Sequence, residues 1–396
     1  MILSLLVYIL TAVVLCVLGA HVAARDERYK VMHGEHASLP MLGSWEIWLS
    51  ILIITVLLGA RWHTGFDHAM YLDKYLRATN GELPPLDRFE PGFKFVTIMM
   101  AKAKIHYFFY FAIWAFLQAF FLYFGLRNRK FLLPWVGLNL MLGVYFLNWS
   151  NSMRQAIVVS LFVALVPLIV NRSWRNFIIY FLIVLLSLLI HRSAIILIPV
   201  YLLTFAAETH FGMKRRWTIS ILVACVALGI YPIWFKLFTF MPGLLKAIGY
   251  NIYNQDILIK DLLLNGNFRW QNFGPSRVGL LVIDVLILWY YPRVRSYFSS
   301  DKLLPMFFLL AFIGMCGENL LMNTAHYVLR PTEYFLIFVM IMNGYTITYL
   351  WRNERRLLAL LYVLIMVSYA IIAVYKGVYR ATPVTEPFVY QFFFLQ

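Results

Sequence analysis

The chain has 396 residues, of which 62% are hydrophobic and only 13% charged. That balance excludes a soluble globular domain, in which charged residues make up about a quarter of the chain. The formal net charge of +16 is dispersed in ones, twos and threes, so it fits anionic headgroups or an anionic substrate and gives no arm for nucleic acid.

The apolar residues come in long runs separated by charges, without the alternation of a transmembrane β-barrel. The expected fold class is therefore all-α, a single polytopic membrane domain over residues 1–396 with about twelve spans. Cys16, Cys225 and Cys316 each fall in a different run and read as small packing residues, not as disulfide or zinc ligands.

The first run, 2–20, has no cationic start, and Arg25, Arg28 and Lys30 follow it. It reads as a retained helix with its N-terminus outside. Further spans are expected near 45–60, 105–126, 131–149, 153–170, 175–190, 193–207, 217–236, 278–292, 303–322, 331–351 and 356–376. Two connections are long, at about 61–104 and 239–277. Within the first, 93–104 is apolar but carries Lys94, Lys102 and Lys104, which predicts an interfacial or re-entrant helix.

Short loops set the orientation. Cations cluster at Arg127, Arg129 and Lys130, at Arg172 and Arg175, at 214–216, at Arg293 and Arg295, and at Arg352, Arg355 and Arg356. All of these follow odd-numbered spans, so they are assigned to the cytoplasmic side. Both long loops and both chain ends are then external. Neither an internal repeat nor a nucleotide-binding glycine loop is present, and the inner loops are too short for a catalytic domain.

The few cations on the outer side are the informative ones. Arg154 opens the fifth span, His191 and Arg192 the seventh, Arg277 precedes the ninth, and Arg330 opens the eleventh. A helix N-terminus adds free N–H groups and partial positive charge to a guanidinium, which together suit phosphate oxygens. Each taken alone also fits a headgroup anchor. The first external loop begins Arg61-Trp-His-Thr-Gly-Phe-Asp67, continues to Tyr71 and Tyr75, and holds Arg88-Phe-Glu90-Pro-Gly-Phe. Its acids could orient a sugar hydroxyl or take its proton, or form local salt bridges. Asp284, Glu318 and Glu333 sit in or against apolar runs, where an acid is costly and marks a function or a structural pair. His63 and His326 are further bases on the outer side.

The set Arg61…Gly65-Phe66-Asp67…Tyr71, Glu90-Pro-Gly-Phe, Asn151…Arg154-Gln155, His191-Arg-Ser193-Ala and Arg330…Tyr334-Phe335 resembles the EpsG/Wzy-type family of bacterial polysaccharide polymerases. Phe66 and Arg192 depart from its usual pattern. The resemblance implies glycosyl transfer between undecaprenyl-diphosphate-linked oligosaccharides at the outer face of the bacterial inner membrane, with no metal or cofactor and with a chain-length regulator as a further partner. It also implies Asp67, Arg154, His191 and Arg330 as catalytic, and Arg61, Tyr71, Glu90, Gln155, Arg192 and Tyr334 as substrate-binding; Arg277, outside these motifs, joins the substrate-binding set as an outer-side cation. Two alternatives stay open: a flippase or transporter of lipid-linked sugars, in which two related halves are expected, and a ligase with nearly the same chemistry.

Overall fold

A computed structural model describes residues 2–34, 37–65, 67–82, 86, 89–143, 145–203, 215–230, 274–322, 329–380 and 390–395. Most of the expected second external loop, the ends of the runs at 193–207 and 217–236, and Phe66, Arg88 and His326 lie outside the described residues.

Among the described residues the fold is all-helical, with one isolated backbone bridge between Arg61 and Phe392. The helices are α1 (Ile2–His33), α2 (Trp45–Ala60), α3 (His68–Thr79), α4 (Pro91–Lys102), α5 (Tyr107–Gly125), α6 (Leu133–Leu142), α7 (Tyr145–Asn151) and α8 (Met153–Val170). They continue as α9 (Trp174–Ser187), α10 (Leu197–Val200), α11 (Arg215–Ile230), α12 (Pro275–Tyr297), α13 (Leu304–Leu320), α14 (Glu333–Arg352) and α15 (Arg356–Arg380). Among the described residues, four helical stretches are long and apolar enough to cross a membrane: Ile2–His33, Tyr107–Gly125, Met153–Val170 and Arg330–Arg352. Trp45–Ala60, Lys130–Leu142, Trp174–Ser187, Leu304–Leu320 and Arg356–Ile372 are shorter apolar helices.

Two details differ from a plain reading of the apolar runs. The run at 131–149 is broken, because α6 ends at Gly143 and α7 restarts at Tyr145. The first long connection contains a helix the apolar runs do not mark, α3, besides α4, which covers most of the stretch 93–104 expected to be helical. In α4, Phe93, Thr97 and Ala101 are buried while Phe95 and Met99 are exposed.

The core is built around α14, which packs against α6, α8, α12, α13 and α15. Its Asn343 amide donates to Asn139 Oδ1 on α6 at 3.3 Å and receives the Tyr362 hydroxyl of α15. These buried polar links fix rotation where apolar packing alone would tolerate sliding. A second layer joins α1 to α2 and α6, and α5 to α2 and α8. Helices α1 and α6 touch closely enough that a Cβ at Gly137 would stand 2.6 Å from the Leu15 Cβ.

Charges gather at the two ends of the same helices. At one end Lys130, with no exposed surface, donates to Asp26 (3.2 Å), Ser38 Oγ (2.9 Å) and the carbonyls of Leu39 and Arg127 (2.6 Å each). Beside it Arg129 grips Asp301 at 2.5 and 2.7 Å, and Arg352 meets Glu27 at 2.6 Å. Helices α5, α8 and α14 run from that end to the other, where Arg61, Asp67, Glu90, Arg154, His191 and Arg330 are found.

The close contact of α1 with α6 makes Gly137→Val a sharp test of this packing. Overpacking there should cost about 1–3 kcal/mol and lower the thermal midpoint in detergent. An unchanged midpoint would show that α1 does not seat on α6.

Candidate active site

Glu90 is the hub. It precedes Pro91 and Gly92 as the extended N-cap residue of α4, so its carboxylate stands clear of the helix. The N–H groups of Gly92 and Phe93 donate to the Leu189 carbonyl at 2.8 and 3.2 Å, tying the start of α4 to the end of α9. A Cβ at Gly92 would sit 2.9 Å from that oxygen, so the approach needs glycine. The next turn of chain after α9 carries His191 and Arg192.

Three partners converge on the Glu90 carboxylate. Arg154, from the first turn of α8, pairs with Oε2; His191 Nδ1 lies 3.1 Å from Oε1; and the Arg192 backbone N–H donates to Oε1 at 3.2 Å. An ionised carboxylate only accepts, so His191 carries its hydrogen on Nδ1 and turns Nε2 outward from the pair. Burial alone would raise the Glu90 pKa, but the His191 hydrogen bond and the Arg154 charge outweigh it and hold it down to about 2. Burial pushes the His191 pKa below its usual 6.5; Glu90 opposes that, and the charges of Arg154 and Arg330 add to it.

Arg154 is enclosed. Its Nε donates to the Tyr71 hydroxyl at 3.0 Å, and its guanidinium lies 5.1–5.8 Å from the ring centres of Tyr71, Phe89 and Phe93. This aromatic box with one carboxylate holds a cation strongly and in one orientation. The arginine is thus engaged by the protein, with Glu90 and Tyr71 among its partners.

A second group lies against the first. Gly65, at φ +96°, turns the chain after α2, and the Asp67 N–H then donates to Asn151 Oδ1 at 3.0 Å. The Asp67 carboxylate is 3.9 Å from Arg330 Nη2, and both side chains are about a third exposed. Gln155, one residue past Arg154, donates to the Arg330 carbonyl at 2.5 Å, and Ser193 and Tyr334 share a hydroxyl hydrogen bond of 2.8 Å. Arg330 Nε and Gln155 Oε1 are buried without a hydrogen-bond partner among the described residues. Arg192 is exposed.

Two residues of the expected set stand elsewhere. Arg61 is fully buried, with Nη1 on the Leu58 carbonyl at 2.6 Å and its guanidinium 4.9 Å over Phe111. Arg277 grips Glu318 at 2.6 Å and Asn319 at 2.9 Å, and Asn319 donates in turn to Asp284 at 3.3 Å. That makes a separate cluster of α12 and α13.

Sequence reasoning did not reach Ser193 as a partner of Tyr334, nor the polar lining around Glu333. Tyr145, Asn148, Trp149 and Glu333 border a cavity of about 20 Å³, the room of roughly one water. The only signal for it was the run of polar and aromatic residues just after Gly143. Among the described residues, no group of three or more His, Cys, Asp and Glu side chains is arranged to hold a metal ion.

Helices this apolar define an integral membrane protein, and the polar cluster around Glu90 lies at one end of them. The model of the EpsG family matches residues 45–392, and the chain belongs to that family. No curated protein and no solved structure matches it. The family carries a polysaccharide-polymerase type of function.

The two titrating groups at the hub set a pH dependence. A histidine whose folded pKa is depressed costs stability as pH falls below its unfolded value, so the penalty begins near 6.5 and grows toward the lowered folded value. The Glu90 contribution is complete above 4.5 and is lost as pH falls toward about 2. Below about pH 6.5 the thermal midpoint of His191→Gln should therefore rise relative to that of the wild type, because the variant has no buried imidazole to charge. Parallel curves for both proteins would contradict the buried neutral histidine.

Proposed function

We propose that the protein is a polysaccharide polymerase acting at the outer face of the bacterial inner membrane, crossing it about twelve times with both chain ends outside. It moves a growing glycan from its undecaprenyl diphosphate to the non-reducing end of a lipid-linked repeat unit. The observation that carries this reading is the convergence of His191 and the Arg192 backbone on Glu90, beside Arg330 and Asp67.

The chemistry follows from that arrangement. The acceptor hydroxyl oxygen attacks the anomeric carbon, the bond from that carbon to the diphosphate oxygen breaks, and the electron pair leaves on the diphosphate. His191, held neutral with Nδ1–H on Glu90, accepts the hydroxyl proton on Nε2, and Glu90 then stabilises the imidazolium. Arg330 and Arg192 meet the leaving diphosphate at the mouth of the site, where fixed guanidinium groups offset the charge that develops there. Arg154 and Tyr71 position Glu90, and Asp67 serves as counter-ion to Arg330. Gln155 and Tyr334 hold Arg330 and Ser193 in place, and no metal is required. Cations with two-point geometry suit a polyprenyl diphosphate, and a chain-length regulator is the further partner at the same face.

The flippase reading lacks two related halves, whereas the ligase shares this chemistry and differs in its acceptor. Cells without the protein separate the three. A polymerase defect leaves single repeat units at the outer face, a flippase defect leaves them inside, and a ligase defect leaves unattached polymer.

Reconstitution with defined lipid-linked repeat units tests the residue roles. His191→Gln should slow transfer by about 10²–10⁴-fold and Arg330→Ala by about 10²–10³-fold, each with normal membrane insertion. Asp67→Asn should cost less than about tenfold, since it removes a partly exposed counter-ion and not the base. Product ladders of wild-type length from the first two variants would remove them from the site.

A further inference from the structure

The turn that presents Asp67 is held from below by a distant part of the chain. Arg61 leaves α2 in an extended conformation and forms an antiparallel bridge with Phe392. The Trp62 N–H donates to the Gln391 carbonyl at 2.8 Å, and the Gln391 N–H donates to the Thr64 hydroxyl at 3.4 Å. Thr64 itself has no exposed surface. Residues 390–393 thus act as a one-bridge strand laid along 61–64, the mode in which an extended segment adds to free backbone groups.

This short strand is anchored independently on both sides. The Tyr390 hydroxyl donates to the Leu57 carbonyl at 2.5 Å, its N–H donates to Ser4 Oγ at 2.9 Å, and the ring packs against Tyr8 with 1% of its surface exposed. Phe393 lies 5.5 and 5.6 Å from the rings of Tyr107 and His106 at the start of α5. The anchored strand lies along Arg61, whose buried charge has no carboxylate partner among the described residues. A guanidinium in that position is costly to leave loosely held, so cover that keeps the turn closed has a physical purpose.

We propose that residues 390–393 are a positioning clasp for the 61–67 turn, setting where Asp67 meets Arg330. The functional half of this inference rests on the polymerase reading above; the structural half does not. The clasp works through backbone atoms at Gln391, whose side chain is exposed.

That distinction supplies the test. Gln391→Ala keeps every backbone group and should behave as wild type. Gln391→Pro removes the N–H given to Thr64 and stiffens the strand. In full-length protein in nanodiscs, hydrogen exchange of the Trp62 amide should quicken about tenfold in Gln391→Pro and stay unchanged in Gln391→Ala. Tyr390→Phe, which keeps the ring but loses the hydroxyl bond to Leu57, should give a smaller increase in the same amide. With reconstituted lipid-linked repeat units, Gln391→Pro should lower kcat by a few-fold, no more than Asp67→Asn does, with KM held, because the turn is misplaced and the lipid site is intact. Equal exchange in all four proteins would overturn the clasp. Faster exchange in Gln391→Pro with unchanged turnover would overturn the positioning role and, separately, place the 61–67 turn outside the reacting centre. A proline variant that fails to insert would leave Tyr390→Phe to decide by the same exchange measurement.

Discussion

One buried carboxylate organises one end of the helical bundle. Glu90 satisfies a guanidinium, an imidazole and a backbone N–H at once, and these come from α8 and from the turn after α9. A carboxylate this buried is stable only if its lone pairs are filled, and removing any partner leaves a charge without compensation. The same ion fixes three properties: the docking of α4 on α9, the tautomer of His191, and the orientation of Arg154 in its aromatic box. The start of α4 is correspondingly rigid, because Pro91 presets the first turn and Gly92 admits the Leu189 carbonyl.

Division of labour among the arginines follows from their surroundings. Arg154 is enclosed by Tyr71, Phe89, Phe93 and Glu90, so its charge is committed to the protein. Arg330 is about a third exposed and stands 3.9 Å from the Asp67 carboxylate, beyond close hydrogen-bond contact. A guanidinium in the second situation can exchange a weak partner for a phosphate at little cost, while one in the first cannot. Arg61 and Arg277 illustrate two further fates of a lone cation near a helix end, one buried on a carbonyl and an aromatic ring, the other closed on Glu318 and Asn319.

Much of the architecture was legible in the sequence because charges bound apolar runs. Trp45–Ala60 and Met153–Val170 begin and end where those runs do. The sorting of cation clusters to one end also follows from order along the chain, since Lys130, Arg129 and Arg352 meet acids at the same end. The break at Gly143 was not legible, because Leu142, Val144 and Tyr145 continue the hydrophobic pattern across it. Neither was the rank of Glu90. Its partners lie 64 and 101 residues away, so nothing local distinguishes it from a solvated loop acid. Burial of Arg61 was equally hidden, since the strand at residues 390–393 that lies against it has no periodic pattern and acts through backbone atoms.

The most direct test of the account is a structure of the protein in lipid with a polyprenyl diphosphate bound. The diphosphate is predicted to lie between Arg192 and Arg330, within reach of His191 Nε2, with Glu90 still paired to Arg154. A headgroup seated at the opposite end, beside Lys130 and Arg129, would contradict it.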